Sequence, residues 1–224
     1  MIATIFFGSI SLIVSFFDQT GAVQIRVALA WARALLAAGG VRVQVEGLEQ
    51  IDPNGSYVFI ANHASYYDTP VALAHIPVQF RFLAKRGLFQ LPFLGTHLSR
   101  AGHIPVPRED PRASVKTMQA AAEVIQRKKI SLLIFPEGGR IKSGEGVAHT
   151  GVALLAAYSG APVLPAYIAG SGAAKRLHKI VVTFGPALHF PKMRKTNREE
   201  LAEWKDQIMA SIRALGDDRA DKEG

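Results

Sequence analysis

The stretch YVFIANHASYYDTPVALAH, residues 57–75, reads as a buried strand, a turn and the start of a helix, the unit from which parallel α/β sheets are assembled. Residues 57–61 are β-branched, aromatic or small, as a buried strand requires, and Asp68 is an N-cap-type residue ahead of an apolar run. His63 and Asp68 stand five positions apart. On one continuous helix that spacing would turn the two side chains about 140° away from each other. Across a strand-to-helix turn they can meet. The carboxylate can then hold one ring nitrogen while the other takes a proton from a substrate hydroxyl, so His63 and Asp68 are the candidate catalytic pair.

Outward from this unit the chain alternates in an α/β manner. Further strands are predicted near 41–45, 81–84, 103–106, 130–135, 163–168 and 179–184. The clearest helix runs over 111–128 and ends in Arg127, Lys128 and Lys129, charges suited to a helix C-terminus. A last helix is predicted over 197–215, with 216–224 (GDDRADKEG) as a mobile tail. The fold class expected is α/β: a single domain over 41–215, with a central mostly parallel or mixed sheet flanked by helices.

Residues 1–40 have a different character. Residues 1–17 carry no charge, 18–21 (DQTG) form a polar turn, and 22–38 are apolar except for Gln24, Arg26 and Arg33. A helical hairpin follows from this pattern. The two arginines, seven positions apart, share one stripe and can snorkel toward phosphates. Each arm of about 17 residues makes roughly 25 Å of helix, short of a full hydrocarbon span. The hairpin is therefore expected to be a monotopic membrane anchor, with a single pass by the first arm as the alternative. A secretory signal fits less well, because no basic residue precedes the apolar run.

Three more blocks carry polar residues at the ends of predicted strands. In LLIFPEGGR, 132–140, an apolar strand is broken by Pro136, and Gly138 and Gly139 let the backbone past Glu137 turn sharply toward a ligand. Arg140 follows that turn, where a guanidinium suits bidentate recognition of a phosphate monoester. AGHIPVPRED, 101–110, sets Gly102, Ile104 and Arg108 in a GxIxxxR spacing, with Arg108 a second candidate phosphate ligand or an ordinary loop arginine beside Glu109 and Asp110. APVLPAYI, 161–168, is another core strand. The segment 81–95, RFLAKRGLFQLPFLG, joins Lys85, a candidate for an anionic head group, to Phe89, Leu91, Phe93 and Leu94, which suit either an acyl-chain tunnel or core packing.

These blocks, in this order and from about residue 41 to 184, resemble the glycerolipid acyltransferase family, whose best-known bacterial members are 1-acylglycerol-3-phosphate (lysophosphatidate) acyltransferases. The resemblance implies that His63, oriented by Asp68, is the general base for direct acyl transfer from acyl-CoA or acyl carrier protein to the hydroxyl of a lysolipid, most simply 1-acylglycerol 3-phosphate. The oxyanion would be met by backbone amides or Asn62. Glu137 belongs to the site by resemblance, either binding a hydroxyl or fixing Arg140 or the loop. It also implies a location at the cytoplasmic face of the inner membrane. The chain departs from the family pattern at Gly139, where a threonine is usual, at Ile141, where a serine is frequent, and over 146–151 (GVAHTG), where a lysine is usual. A less anionic acceptor would tolerate those changes; the alternatives are an acyltransferase for lyso-ornithine lipid, a lysophospholipid or glycerol 3-phosphate, and a non-catalytic membrane-surface lipid-binding protein.

Composition agrees with an enzyme that works beside anions. With 224 residues, 49% hydrophobic, the chain can bury one sizeable core, and its net charge of +8 suits a phospholipid surface or an anionic thioester. Nucleic acid fits poorly, as no helix-turn-helix spacing, zinc motif or RNP-like run is present. The absence of cysteine removes disulfides and a thiol nucleophile. There is no GxSxG elbow and no HExxH spacing, so neither a serine nucleophile nor a metal is expected, and no tightly bound cofactor.

Overall fold

The structure, a computed structural model, describes residues 2–18, 21–139, 150–173, 178–193 and 195–223. Seven strands form one mixed sheet. They are β1 (Arg42–Glu46), β2 (Val58–Ala61), β3 (Phe80–Lys85), β4 (Ile104–Val106), β5 (Ser131–Ile134), β6 (Val163–Ala169) and β7 (Lys179–Phe184), in spatial order β1-β7-β6-β2-β5-β3-β4. Every pair is parallel except β6 with β7, so β1 and β7 run against the other five. All seven predicted strands are present. β2 and β5 sit at the centre with nearly every side chain buried, which is why their sequences are continuous apolar runs rather than alternating ones.

Helices cover both faces. On one lie α2 (Ala22–Ala38) and α3 (Asp68–His75), whose Ala28, Ala32, Leu36 and Val71 pack on Phe59, Phe82, Leu133 and Leu164. On the other lie α5 (Pro111–Lys128), α6 (Gly151–Ser159) and α7 (Arg198–Glu223), whose Met118, Ala121, Leu155 and Ile208 meet Val58, Ile60 and Leu132. Asp110 caps α5 by accepting the Ala113 N–H at 3.0 Å, with Pro111 in the first turn, and this fixes the loop that carries Arg108.

Two features go past the expected bounds. Where a tail is expected over 216–224, α7 continues to Glu223, and Arg219 reaches back to Glu46 on β1 at 2.9 Å, a largely buried ion pair that pins the extension. The hairpin also packs on the core. α1 (Ile2–Val14) and α2 are both helical, but α2 buries Gln24, Ala28, Ala32 and Leu36, an i, i+4 stripe that belongs to the core. Arg26 and Arg33 share its exposed face, as their spacing requires. Among the described residues no helix is long and apolar enough to cross a membrane.

The hairpin also grips the rim of the sheet through α4 (Leu94–Arg100). Ser11 hydrogen-bonds His97, and Arg100 donates to the Ser15 carbonyl at 2.5 Å while its guanidinium lies 5.2 Å from the centre of the Phe16 ring. His103 lies 6.3 Å from His97, ring to ring, and its Nδ1 accepts the Phe82 N–H of β3 at 3.0 Å. Burial, with His97 and Arg81 as cationic neighbours, pushes the His103 pKa down to about 3. A folded pKa below the unfolded one means that His103 contributes stability above pH 6.5, which is lost as pH falls from 6.5 toward 3. His103→Asn retains an acceptor for Phe82 without titrating. Urea unfolding at pH 7.5 and pH 4.5 should therefore show the variant losing about 2 to 3 kcal/mol less than the parent over that interval. Equal losses would assign the acid sensitivity elsewhere.

Candidate active site

The turn that carries His63 sits at the C-terminal end of β2, between two parallel neighbours, where an α/β sheet leaves a crevice. Asn62 leaves the strand and continues its pairing with a side chain: its amide donates to the Ile168 carbonyl at 3.0 Å and its oxygen accepts the Ile168 N–H at 2.7 Å. That double bond to β6 fixes where the chain departs from the sheet. His63 comes next. Its Nδ1 lies 2.8 Å from Asp68 Oδ2, and the same oxygen accepts the N–H groups of Ala64 and Ser65, each at 2.8 Å.

Asp68 is 0% exposed at the first position of α3, so the helix start and the ring are held by one buried carboxylate. A carboxylate only accepts, which places the proton on Nδ1 and leaves the lone pair on Nε2. The imidazole, 14% exposed, stacks on Phe135 with centroids 4.1 Å apart and planes 15° from parallel. Chemically this is a base of fixed tautomer and orientation.

The FPEGG loop after β5 is tied to this turn twice. Phe135 supplies the stacking face, and Glu137 Oε2 accepts the His63 backbone N–H at 3.1 Å. Burial raises the Glu137 pKa, and the Asp68 charge adds to that, while the bond and proximity to His63 oppose it. Of the roles open for Glu137, the geometry favours fixing the loop. Gly138 follows with φ 71°, a left-handed turn that a side chain would strain.

Beside Phe135 opens a cleft of about 270 Å³, lined by Leu83, Val106, Met118, Leu154, Gly138 and Arg108. Arg108 is partly buried in this mainly apolar setting, and burial lowers its pKa from the ordinary guanidinium value while Glu109 opposes the shift. Lys85 stands apart from the cleft lining, exposed and 3.7 Å from Glu109, a pair that solvent screens. Arg140, Ile141 and residues 146–149 lie outside the described residues. Phe89, Leu91, Phe93 and Leu94 do not line the cleft; Leu91, Phe93 and Leu94 face solvent. A larger groove of about 580 Å³ along Arg42, Gln44, His178 and Lys179 touches none of the residues just described.

Sequence reasoning missed two roles. From sequence Phe135 is only the end of the 130–135 strand, and its place two residues before Glu137 is the signal that would put a ring in the site. The two peptide N–H groups on Asp68 carry no sequence signal, since any residue at 64 and 65 supplies them.

A family model described as Acyltransferase matches residues 42–169, which include every residue of this site. The chain is 32% identical over 193 residues to a 1-acyl-sn-glycerol-3-phosphate acyltransferase of Pseudomonas aeruginosa, covering 81% of this chain and 74% of that one. It is 32% identical over 133 residues to a chloroplastic 1-acyl-sn-glycerol-3-phosphate acyltransferase of Brassica napus, covering 58% of this chain and 38% of the relative, so it spans less than half of that protein's length. Among solved structures, the 1-acyl-sn-glycerophosphate (LPA) acyltransferase PlsC from Thermotoga maritima shares the fold with a TM-score of 0.70 at 21% identity, over 94% of this chain and 89% of that one.

Proposed function

Since the chain belongs to the acyltransferase family, we propose that it transfers a fatty acyl group from a thioester donor, acyl-CoA or acyl carrier protein, to the free hydroxyl of 1-acylglycerol 3-phosphate. The observation that carries this reading is the single buried oxygen of Asp68 that holds His63 Nδ1 and two peptide N–H groups. In the reaction, Nε2 takes the acceptor hydroxyl proton as the oxygen attacks the thioester carbonyl. The C–S bond then breaks, and the imidazolium returns the proton to the leaving thiolate. Asp68 stabilises the imidazolium in between, and no covalent enzyme intermediate forms. The Asn62 amide is engaged with Ile168, and the N–H groups of His63, Ala64 and Ser65 with Glu137 and Asp68, so these groups hold the turn in place rather than meeting the oxyanion. Gly138 lets the loop approach the acceptor closely.

Arg108, in the apolar cleft beside Phe135, is the phosphate ligand of this reading, with Arg140 as its companion. In low-dielectric surroundings a charge-assisted hydrogen bond to phosphate contributes about 1.5 to 3 kcal/mol. Arg108→Ala should therefore raise KM for lysophosphatidate about 10- to 100-fold, with kcat little changed. A neutral monoacylglycerol acceptor should show no such penalty. Equal loss on both acceptors would remove Arg108 from phosphate recognition. Lys85, exposed, is assigned to the approach of the anionic head group rather than to the reacting complex.

The outward side chains of α1, including Ile5, Phe6 and Ile13, support a membrane surface as the place of work, on the cytoplasmic face where thioester donors are made. The assay that tests the whole reading uses purified protein, labelled acyl-CoA or acyl carrier protein, and a panel of lysophosphatidate, glycerol 3-phosphate, a zwitterionic lysophospholipid and lyso-ornithine lipid. Preference for a neutral or zwitterionic acceptor would trace to the substitutions at Gly139 and 146–149. Failure to acylate any of them would leave lipid binding without catalysis.

A further inference from the structure

Between β3 and α4 the chain turns through a helical segment, Arg86–Gln90, and then bends sharply at Pro92 and Phe93. Leu94 N–H donates to the Pro92 carbonyl at 2.7 Å, two residues back, and Phe93 has φ 62° and ψ −54°. This is the γ-turn with positive φ at its centre, the rarer and more strained hand. It is held from both sides. Gly95 N–H donates to the Leu91 carbonyl at 2.8 Å, and the Phe89 carbonyl oxygen lies 2.1 Å from the point a Gly95 Cβ would occupy, so only glycine fits there. The turn leaves the Phe93 ring 73% exposed, with Leu88, Leu91 and Leu94 also exposed around it. A strained backbone that presents an aromatic ring to water stores two costs at one residue, and such outliers cluster where the presented group is used.

What would cover this protrusion is set by its surroundings. Of the basic residues from 69 to 108, Lys85, Arg86 and Arg100 are exposed, while Arg81 is buried and Arg108 lies in the cleft. Lys85 and Arg86 stand at the base of the protrusion, Lys85 beside Glu109 at 3.7 Å. At its other end, Arg100 binds Ser15 and covers Phe16, which joins the protrusion to the outward face of α1 and its turn, where Ile13, Phe16 and Phe17 are exposed. The result is a pair of apolar patches from two distant parts of the chain, joined through Arg100 and flanked by cations. A second copy of a chain with net charge +8 would meet it with repulsion. An anionic bilayer complements both of its properties.

We propose that Phe93, supported by Leu91 and Leu94, is a wedge that inserts into an anionic lipid bilayer beside α1, giving the protein a second membrane contact distinct from the hairpin. It rests on the membrane reading above and adds orientation to it. The length of α1 and a wedge away from it together limit tilt, and the wedge follows β3 through the Arg86–Gln90 segment, β3 being the strand whose Leu83 lines the Arg108 cleft. The cleft is thereby kept at the height of the lipid head groups.

The full chain has no cysteine, so Phe93→Cys and, as a control, Lys128→Cys at the end of α5 each give a single labelling site. With an environment-sensitive fluorophore attached, vesicles of equal parts phosphatidylglycerol and phosphatidylcholine should shift the position-93 emission to the blue, and brominated acyl chains should quench it. Position 128 should show neither effect. Phe93→Gly, which suits the positive φ, should unfold no earlier than the parent yet partition into these vesicles about tenfold less. Co-flotation of protein with vesicles while position 93 stays unshifted would overturn the wedge and leave the hairpin as sole anchor. A shift that needs only protein concentration would overturn it in favour of self-association. No flotation at all would overturn both the wedge and the membrane reading beneath it.

Discussion

Replacing His63 by alanine should lower kcat by about 10²- to 10⁴-fold, the usual contribution of a positioned general base, with KM for donor and acceptor nearly unchanged. The ring makes two contacts that bear on folding, the stack on Phe135 and the bond to Asp68, but the turn keeps its other ties when the ring is lost. Asp68 still accepts the Ala64 and Ser65 N–H groups, and Glu137 still accepts the N–H of residue 63. The variant should therefore remain folded, with a modest fall in Tm. The space it leaves beside Phe135 has the shape of an imidazole, so added imidazole should restore part of the rate. Labelled acyl transfer measured in parallel with thermal unfolding checks this. A folded His63→Ala protein that keeps its turnover within about threefold of the parent would remove the ring from the chemistry, since a general base cannot contribute so little.

Much of this architecture is legible in the sequence because it rests on local patterns. Continuous apolar runs such as 57–61 and 130–135 mark strands buried on both faces, and the strand–turn–helix reading of 57–75 is what lets His63 and Asp68 meet across five residues. Contacts between remote segments are not legible in that way. Asn62 looks like a free polar residue beside a base, yet it is occupied by Ile168, 106 positions away. Glu137 bonds the backbone of His63 across 74 positions, which no local spacing announces. Phe93 and Leu91 have the composition of a core segment, yet both are exposed, Phe93 at the centre of a turn with positive φ. The continuation of α7 depends on Arg219 finding Glu46 on the opposite edge of the chain's order, in a stretch whose charge and glycine content otherwise suit a tail. The hairpin divides along the same line. Its helical character follows from composition, but the choice of α2 for burial and α1 for exposure depends on which arm the sheet accepts.

Asp68 separates charge from scaffold more sharply than any other position. Its Oδ2 takes three donors, while its Oδ1 is buried with no hydrogen-bond partner among the described residues. Asparagine can keep its oxygen on the three donors and place its amide nitrogen where Oδ1 lies. The two peptide N–H groups enforce that orientation, so Nδ1 still donates and Nε2 still carries the lone pair. What Asp68→Asn loses is the negative charge that stabilises the imidazolium. We expect kcat to fall about 10- to 10²-fold, less than the roughly 10⁴-fold seen where such a change also reverses the tautomer. Alanine removes the scaffold too. It strands the Ala64 and Ser65 N–H groups and opens a cavity at a fully buried site, so Asp68→Ala should be less stable than the asparagine variant by about 2 to 4 kcal/mol. Its kcat should approach that of His63→Ala. The order of the two variants is the test. If asparagine costs as much stability as alanine, the amide has not taken up the carboxylate's bonds. If asparagine turns over as fast as the parent, the charge is not needed, and Asp68 acts only by holding the start of α3 and the ring in place.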